Sequence, residues 1–527
     1  MQRIVFALSF AVLALIRNWY MLASTQNFHY PTFRPTWIAL VNLLLNHFCL
    51  TFLVWCLLTL AARSKSRWPS FVLYWVLIVA LIPAFLFVRH DTNLSVNHPI
   101  LSFSHWAGLL TQTGVWAAFA LAAASAFWAS LRKPERFMTL TRALASLILP
   151  FAAFHFVRLA YLVASVPTLP HSGDLGIHGT TTGRTVVVVF DEFDYATFLE
   201  ARKKGMDFPT FEKLEKDGLS AAEAYSPAIH THAAMPSYFF GRRITRFCRL
   251  PNDDMLLRFE GDTEDSFWSQ EPTLVSDVYS MGISTSLVGW YHPYCQIMGR
   301  HIKTCLTNRS PFFQSTQLVT PRRMLANWGQ AFNPFALRLP SHLRRYELVM
   351  EQAEAALRAT DSSFAFIHLP VPHLPAIYDL KTKSLVTDYG NSEEEQHEGY
   401  LANLVLADMT LARLMEIEKE TWGEDTTWVV TADHSIHAWR WEEKDYPEEK
   451  IDRRIPFWVL AGKDPKGLDY NKPFNTILLK DLILELLADR QPSLRKVAGF
   501  LDKNLPSKKD LMPTQPVDTC PSRQPRK

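Results

Sequence analysis

Apolar residues first run in long unbroken blocks, then in short bursts separated by polar stretches of helical period, with the change near residue 165. Before it lie five apolar blocks, at residues 4–22, 37–62, 71–88, 106–131 and 144–163. Each approaches the roughly 20 residues a helix needs to cross hydrocarbon, so the pattern predicts an α-helical bundle of about five transmembrane spans. Arg17 and Asn18 interrupt the first block, which alternatively reads as a signal peptide. No small-residue cleavage site stands out and further blocks follow, which favours a retained helix.

Loop charge then sets the expected orientation. Arg63, Lys65 and Arg67 follow the second block, and Arg132, Lys133, Arg136 and Arg142 follow the fourth, whereas the alternate loops offer little beyond Arg34 and Arg89. An excess of Lys and Arg marks cytoplasmic loops, so the N-terminus is placed inside. An odd number of spans sends everything after residue 163 to the opposite, outer face of the membrane. Asn42, Asn46, His47, His155 and Arg158 are polar residues within these blocks, where they are costly and often functional. Arg158 near the outer end of the last block would meet a lipid phosphate or snorkel to the interface.

Beyond a Ser/Gly/Thr-rich linker at 166–183, the run 185–190 (Thr-Val-Val-Val-Val-Phe) is short, β-branched and unbroken, the signature of a strand buried on both faces. Similar runs occur at 286–290, 364–369, 428–432 and 457–461, separated by helical patterns that include 343–359, 394–419 and 476–488. Alternating strands and helices predict an α/β domain over 184–505 with a mostly parallel central sheet. Such sheets bind ligands beyond the carboxyl ends of their strands, which is where chemistry should be sought.

Composition sharpens this picture. The chain is 48% hydrophobic with 16 Trp and 35 Phe, an excess concentrated before residue 165, as a membrane region (1–165) joined to a soluble one requires. Net charge is only +3 and the soluble part shows no basic cluster interleaved with aromatics, which argues against a nucleic-acid partner. The polar end 506–527 reads as a solvated, disordered tail. Among the 6 cysteines, Cys49 and Cys56 lie in an apolar block, while Cys295 and Cys305 are close enough in sequence either to bridge or to remain as thiols.

The strand ends carry the candidate chemistry. The first ends in Asp191-Glu192, hard oxygen donors for a divalent cation or, more plainly, a solvated turn or helix cap. The strand 428–432 ends in Asp433-His434, a carboxylate and an imidazole that suit zinc or manganese better than calcium. The strand 364–369 runs into a proline-fenced loop holding His373, while His368 inside the strand reads as a core histidine. The loop 225–237 is rich in small and hydroxyl residues. Thr231 there is a candidate nucleophile at a helix N-terminus that favours an anionic phosphate; the plain alternative is that Thr231 or Ser237 caps the helix.

This set of residues resembles the alkaline phosphatase and sulfatase superfamily. Phe190-Asp191-Glu192, then Thr231, then 431–435 (Thr-Ala-Asp-His-Ser) follow that family's order of acid ligands, metal-bound nucleophile and closing Asp-His strand end. The helix 400–418 and the strand region 454–460 are similar too, and the likeness spans about residues 184–490. The preceding apolar blocks resemble the membrane anchors of lipid A phosphoethanolamine transferases and lipoteichoic acid synthases. The resemblance implies Asp191, Glu192, Thr231, Asp433 and His434 as metal ligands. It implies Thr231 as nucleophile, on its spacing to Pro236, and His373 as the substrate-side histidine. It further implies transfer of a phospho-substituent, of phosphoethanolamine or phosphoglycerol type, from a membrane phospholipid to an envelope glycan or lipid. A phosphodiesterase or sulfuric-ester hydrolase of the same superfamily is the alternative, and a non-catalytic assembly protein a second. Ser435 stands where the family usually has Gly, the cysteines flanking the transferase nucleophile are missing, and the sulfatase Cys/Ser-x-Pro-x-Arg signature is absent.

Overall fold

The run read as a doubly buried strand forms Arg184–Asp191, and every residue of it is buried. In the computed structural model, which describes residues 2–16, 37–82, 84, 127–128, 130–165, 183–250, 254–307, 318–332, 341–386, 393–436, 452–461, 466–489, 492–507, 510–518 and 520, this strand lies inside an eight-stranded sheet. Thr426–Ala432 pairs with it in parallel on one side and Phe364–Pro372 in parallel on the other. Thr285–Gly289 and then Thr304–Thr307 extend the parallel part beyond Phe364–Pro372. Each valine from Val186 to Val189 is fully buried, and burial of such a side chain is worth roughly 1.5–3 kcal/mol.

The sheet is mixed. Phe457–Leu460, expected among the parallel strands, runs antiparallel to Thr426–Ala432, and Leu219–Ala221 runs antiparallel to it in turn. An antiparallel neighbour needs no crossover helix, so an apolar run at the far end of the domain does not by itself specify direction. The 30-residue helix Glu393–Trp422 lies along the sheet, with Tyr400, Leu404, Leu411 and Leu414 in the core. At its far end Glu418 meets the Arg184 side chain at 2.8 Å, both groups being 1% exposed, and the guanidinium lies over the Trp422 ring.

The N-terminal region forms a separate compact unit. Its helices are Gln2–Ala14, Trp37–Ala61, Trp68–Val79, Pro134–Ser146 and Leu149–Ser165. Among the described residues one stretch, Leu40–Ala61 with mean hydropathy 2.0, is long and apolar enough to cross a membrane. The expected five-span bundle is therefore not confirmed among the described residues. The block expected at 144–163 is divided between two helices, with Pro150 in the first turn of the second, where proline is tolerated and a continuous helix is not. The block at 106–131 and the ends of the first and third fall largely outside the described residues, as do the side chains of His155 and Arg158. Asn42, Asn46 and His47 turn inward: Asn46 Nδ2 donates to the Asn42 carbonyl at 2.8 Å, and Asn42 Oδ1 accepts from the Val319 amide at 2.8 Å. That last bond belongs to a segment within Phe312–Leu339, which falls with this unit although the sequence places it amid the α/β domain. Its helix Pro321–Ala331 is followed by Phe332, whose ring stacks on Phe10.

Both polar-half cysteine pairs are bridged, Cys295 with Cys305 and Cys248 with Cys520. The second pairing fastens the segment expected as a free tail: Val517–Asp518 is a strand paired in parallel with Ile244–Arg249.

Candidate active site

Two adjacent parallel strands deliver the acids side by side. Phe190 pairs with Ala432, so the next residues, Asp191 and Asp433, stand side by side at the carboxyl ends of their strands. Both carboxylates are fully buried. Asp433 Oδ1 accepts from the Glu192 amide at 2.9 Å and from the His434 amide at 2.7 Å, which turns both strand ends inward. Glu192 adopts φ 61°, a left-handed conformation that non-glycine residues hold at a cost of order 1–3 kcal/mol and that clusters at functional sites. Tyr400 stabilises that turn, its hydroxyl donating to the Glu192 carbonyl at 2.7 Å and accepting from the Asp194 amide at 2.9 Å.

Thr231 is the first residue of the helix Thr231–Phe240, and His230 before it is extended and gives no side-chain cap. The Thr231 hydroxyl lies 3.4 Å from Asp191 Oδ1 and 3.2 Å from His434 Nε2. His292 Nε2 donates to the Thr231 carbonyl at 3.1 Å. Further along the helix, the Tyr238 hydroxyl donates to the Ala432 carbonyl at 2.6 Å, fixing the helix to the strand end that carries Asp433. Ser237 does not cap the helix. It is fully buried inside the helix, and its hydroxyl has no hydrogen-bond partner among the described residues.

The electrostatics suit a cation. Burial, and then the neighbouring Asp433 and Glu192 carboxylates, push Asp191 well above the usual carboxylate range, and burial raises Asp433 to about 6. Like charges in a desolvated cluster are costly unless a positive charge joins them. One oxygen of each, Asp191 Oδ2 and Asp433 Oδ2, has no hydrogen-bond partner among the described residues. Burial lowers His434 to about 3, leaving a neutral imidazole. Its Nδ1–H donates to the Ser435 carbonyl at 2.7 Å, so the Nε2 lone pair faces the cluster, 3.6 Å from Asp433 Oδ2 and 3.8 Å from Asp191 Oδ1. Hard oxygens with neutral imidazole are donors that zinc or manganese accepts.

His373 is the most open of these groups, with 28% of its side chain exposed. Its ring nitrogen Nε2 sits 3.6 Å from Glu192 Oε2, and its amide donates to the Asp191 carbonyl at 3.1 Å. Cis peptide bonds precede Pro372 and Pro375 on either side of it. Asn403, one helical turn from Tyr400, donates to the Pro372 and His373 carbonyls at 3.2 and 3.1 Å. One helix thus braces both the Glu192 turn and the His373 loop.

Sequence reasoning missed three contributors. His368 is buried as expected of a core histidine, yet a ligating atom of it, of Asp191 and of Asp433 all lie within 4.8 Å of one another, a possible metal-binding triad. Its Nδ1 faces the Tyr294 hydroxyl at 3.0 Å. Tyr294 reaches it across Gly289, where a Cβ would come within 2.6 Å of the tyrosine ring. The polar pair Tyr400 and Asn403 on an otherwise core-facing helix stripe was the available signal for the second contributor. Tyr291, at φ 72° with its hydroxyl beside the His232 ring, is the third and left no mark in the sequence.

No protein-family model matches the chain, and no curated protein matches it. Among solved structures, it is similar to a phosphonate monoester hydrolase from Silicibacter pomeroyi, at 16% identity and TM-score 0.40 over 62% of this chain and 78% of that one. A phosphonate monoester hydrolase of Agrobacterium radiobacter aligns at 12% identity and TM-score 0.39, covering 58% and 74% of the two chains. A protein in the alkaline phosphatase superfamily from Vibrio parahaemolyticus aligns at 13% identity and TM-score 0.37, covering 62% and 70%.

Proposed function

We propose that the chain is a cation-dependent enzyme of phosphoester chemistry, working through a covalent Thr231 intermediate and moving a phospho-substituent from a membrane phospholipid to an envelope glycan or lipid. The observation that carries this reading is the Thr231 hydroxyl at a helix N-terminus, within 3.4 Å of both Asp191 Oδ1 and His434 Nε2, beside a second buried carboxylate. Glu192, Thr231, Asp433 and His434 would hold the cation, zinc or manganese, with Asp191 as a further donor and His368 in reach of the same carboxylates. When bound, the cation supplies charge neutralisation for the substrate oxygens and a lowered pKa for the hydroxyl.

The chain's own groups do the rest. Thr231 Oγ1 attacks phosphorus and its proton passes toward Asp191 Oδ1, while the bond to the leaving alkoxide breaks and His373 Nε2 supplies that oxygen with a proton. The acceptor hydroxyl then attacks the phosphothreonine, giving its proton to His373 Nε2, while the phosphorus–Oγ1 bond breaks and Thr231 regains its proton from Asp191. With water as acceptor the same steps give a hydrolase. Incubation with a phospholipid labelled in its head group separates the two: label in a glycan or lipid acceptor supports transfer, and label released only as the free phosphomonoester leaves hydrolysis. No label on Thr231 by mass spectrometry under either condition would end the covalent reading.

The membrane placement draws on the Leu40–Ala61 helix, on the loop charges and on two disulfides in the α/β unit, which persist in oxidising compartments. A reporter at the C-terminus should therefore be active as alkaline phosphatase and dark as a cytoplasmic fluorescent protein; the converse would overturn the exported placement.

A further inference from the structure

We infer that Thr514, on the C-terminal segment, is a positioning residue for the loop that presents Thr231; the inference rests on the reading of Thr231 as nucleophile. Residues 226–230 lead directly into Thr231, and Ser226 and Ala228 are buried there. Pro227 has no N–H, so its carbonyl is the only backbone group it offers for anchoring. Thr514 takes that group twice: its amide donates to the Pro227 carbonyl at 3.0 Å, and its hydroxyl lies 3.1 Å from the same oxygen. The Thr514 carbonyl accepts from the Ile229 amide at 3.1 Å, two residues before the nucleophile. Ala228 and Thr514 thus form a parallel bridge, a one-residue continuation of a sheet.

The segment bearing Thr514 is held at both ends. Upstream, the buried Asn475 side chain donates to the Leu511 carbonyl at 2.8 Å and to the Ser226 carbonyl at 2.9 Å, tying segment and loop to one group. Downstream, Val517–Asp518 pairs with the strand Ile244–Arg249, and Cys520 is bonded to Cys248 of that strand. The Thr514 hydroxyl also lies 3.2 Å from the Ile244 carbonyl, where the strand begins. The described C-terminal segment is therefore a strap on the loop that leads into the nucleophile. Its contacts fall on the loop 227–229, on Asn475 and on the strand Ile244–Arg249, so its effect on chemistry runs through the position of Thr231. A displacement of about 1 Å at a reacting atom costs on the order of a hundredfold in rate.

The test compares the full-length protein with Thr514→Pro, Thr514→Ala and Thr514→Ser. Thr514→Pro removes the amide and hydroxyl donors, Thr514→Ala the hydroxyl alone, and Thr514→Ser restores the hydroxyl. Two readouts are taken: hydrogen exchange of the peptide 226–236, with 426–432 as the core reference, and turnover of a chromogenic phosphodiester. Thr514→Pro should speed exchange in 226–236 with 426–432 still protected, and should lower kcat by roughly ten- to a hundredfold while KM stays within about twofold. Thr514→Ala should fall between, and Thr514→Ser should match the parent. If Thr514→Pro loosens the core peptide as well, Thr514→Ala decides the matter alone. Unchanged exchange in 226–236, or a loss falling on KM instead of kcat, would overturn the inference. A parent protein without turnover would instead count against the proposed chemistry, and the exchange data would still decide whether the strap orders the loop.

Discussion

Thr231→Ala should abolish turnover, by several powers of ten in kcat, while leaving the fold intact. Loss of a nucleophile that acts as part of a unit removes the covalent route itself, and the residual rate is what binding and electrostatics provide without it. The fold should survive because the helix Thr231–Phe240 is anchored elsewhere. Tyr238 holds it to the Ala432 carbonyl, His292 holds the Thr231 backbone carbonyl and not its hydroxyl, and alanine is a good helix former at that position. Ser237→Ala is the paired control. Its hydroxyl is buried without a partner among the described residues, so its removal takes away a desolvation cost of about 1–3 kcal/mol and no hydrogen bond. Turnover should therefore be unchanged and the melting temperature equal or higher. Full activity in Thr231→Ala with a dead Ser237→Ala would show that the wrong hydroxyl had been assigned.

Much of the α/β unit was legible because its signals are local. An unbroken run of valines suits a strand covered on both faces, as in a parallel stack with helices on either side, and Arg184–Asp191 is buried throughout. An acid at the end of such a run stands at the carboxyl end of its strand, and the register of Phe190 with Ala432 then makes Asp191 and Asp433 neighbours. What was illegible is tertiary. His368 looks like a core residue because it is one; only the arrival of Asp191 and Asp433 near its ring gives it a second reading. Cys248 and Cys520 are 272 residues apart, and nothing local pairs them or marks the polar C-terminus as ordered. In the N-terminal unit, hydropathy ranks composition and is blind to helix ends. It passes over the interruption before Pro150, and it does not foresee that the segment carrying Val319 and Phe332 packs against Asn42 and Phe10.

Asp433→Asn should strip the cation and the activity together while preserving the backbone turn, which makes it sharper than Asp433→Ala. In the parent, Asp433 Oδ1 accepts from the Glu192 and His434 amides, and an asparagine oxygen can keep both bonds. Oδ2, which has no hydrogen-bond partner among the described residues and lies 3.6 Å from His434 Nε2, becomes an amide nitrogen that cannot ligate. Alanine loses all of this at once and releases the left-handed turn at Glu192. Elemental analysis of purified parent protein should find at least one divalent cation per chain, with Asp433→Asn and Asp433→Ala near zero. Stability should respond with opposite signs in the two states. Without the cation, the parent buries Asp191, Glu192 and Asp433 as mutually repelling acids, which burial and mutual repulsion push upward in the case of Asp191. Removing one charge should raise the melting temperature of the chelator-treated protein. With the cation present, the parent gains binding energy that the variant cannot, about 2.7 kcal/mol at a hundredfold excess over Kd. The variant should then melt lower than the loaded parent. A crossing of the two melting curves on chelation is thus expected of a metal site, and not of an acid pair that only shapes the strand ends. Unchanged metal content in Asp433→Asn would remove Asp433 from the ligand set.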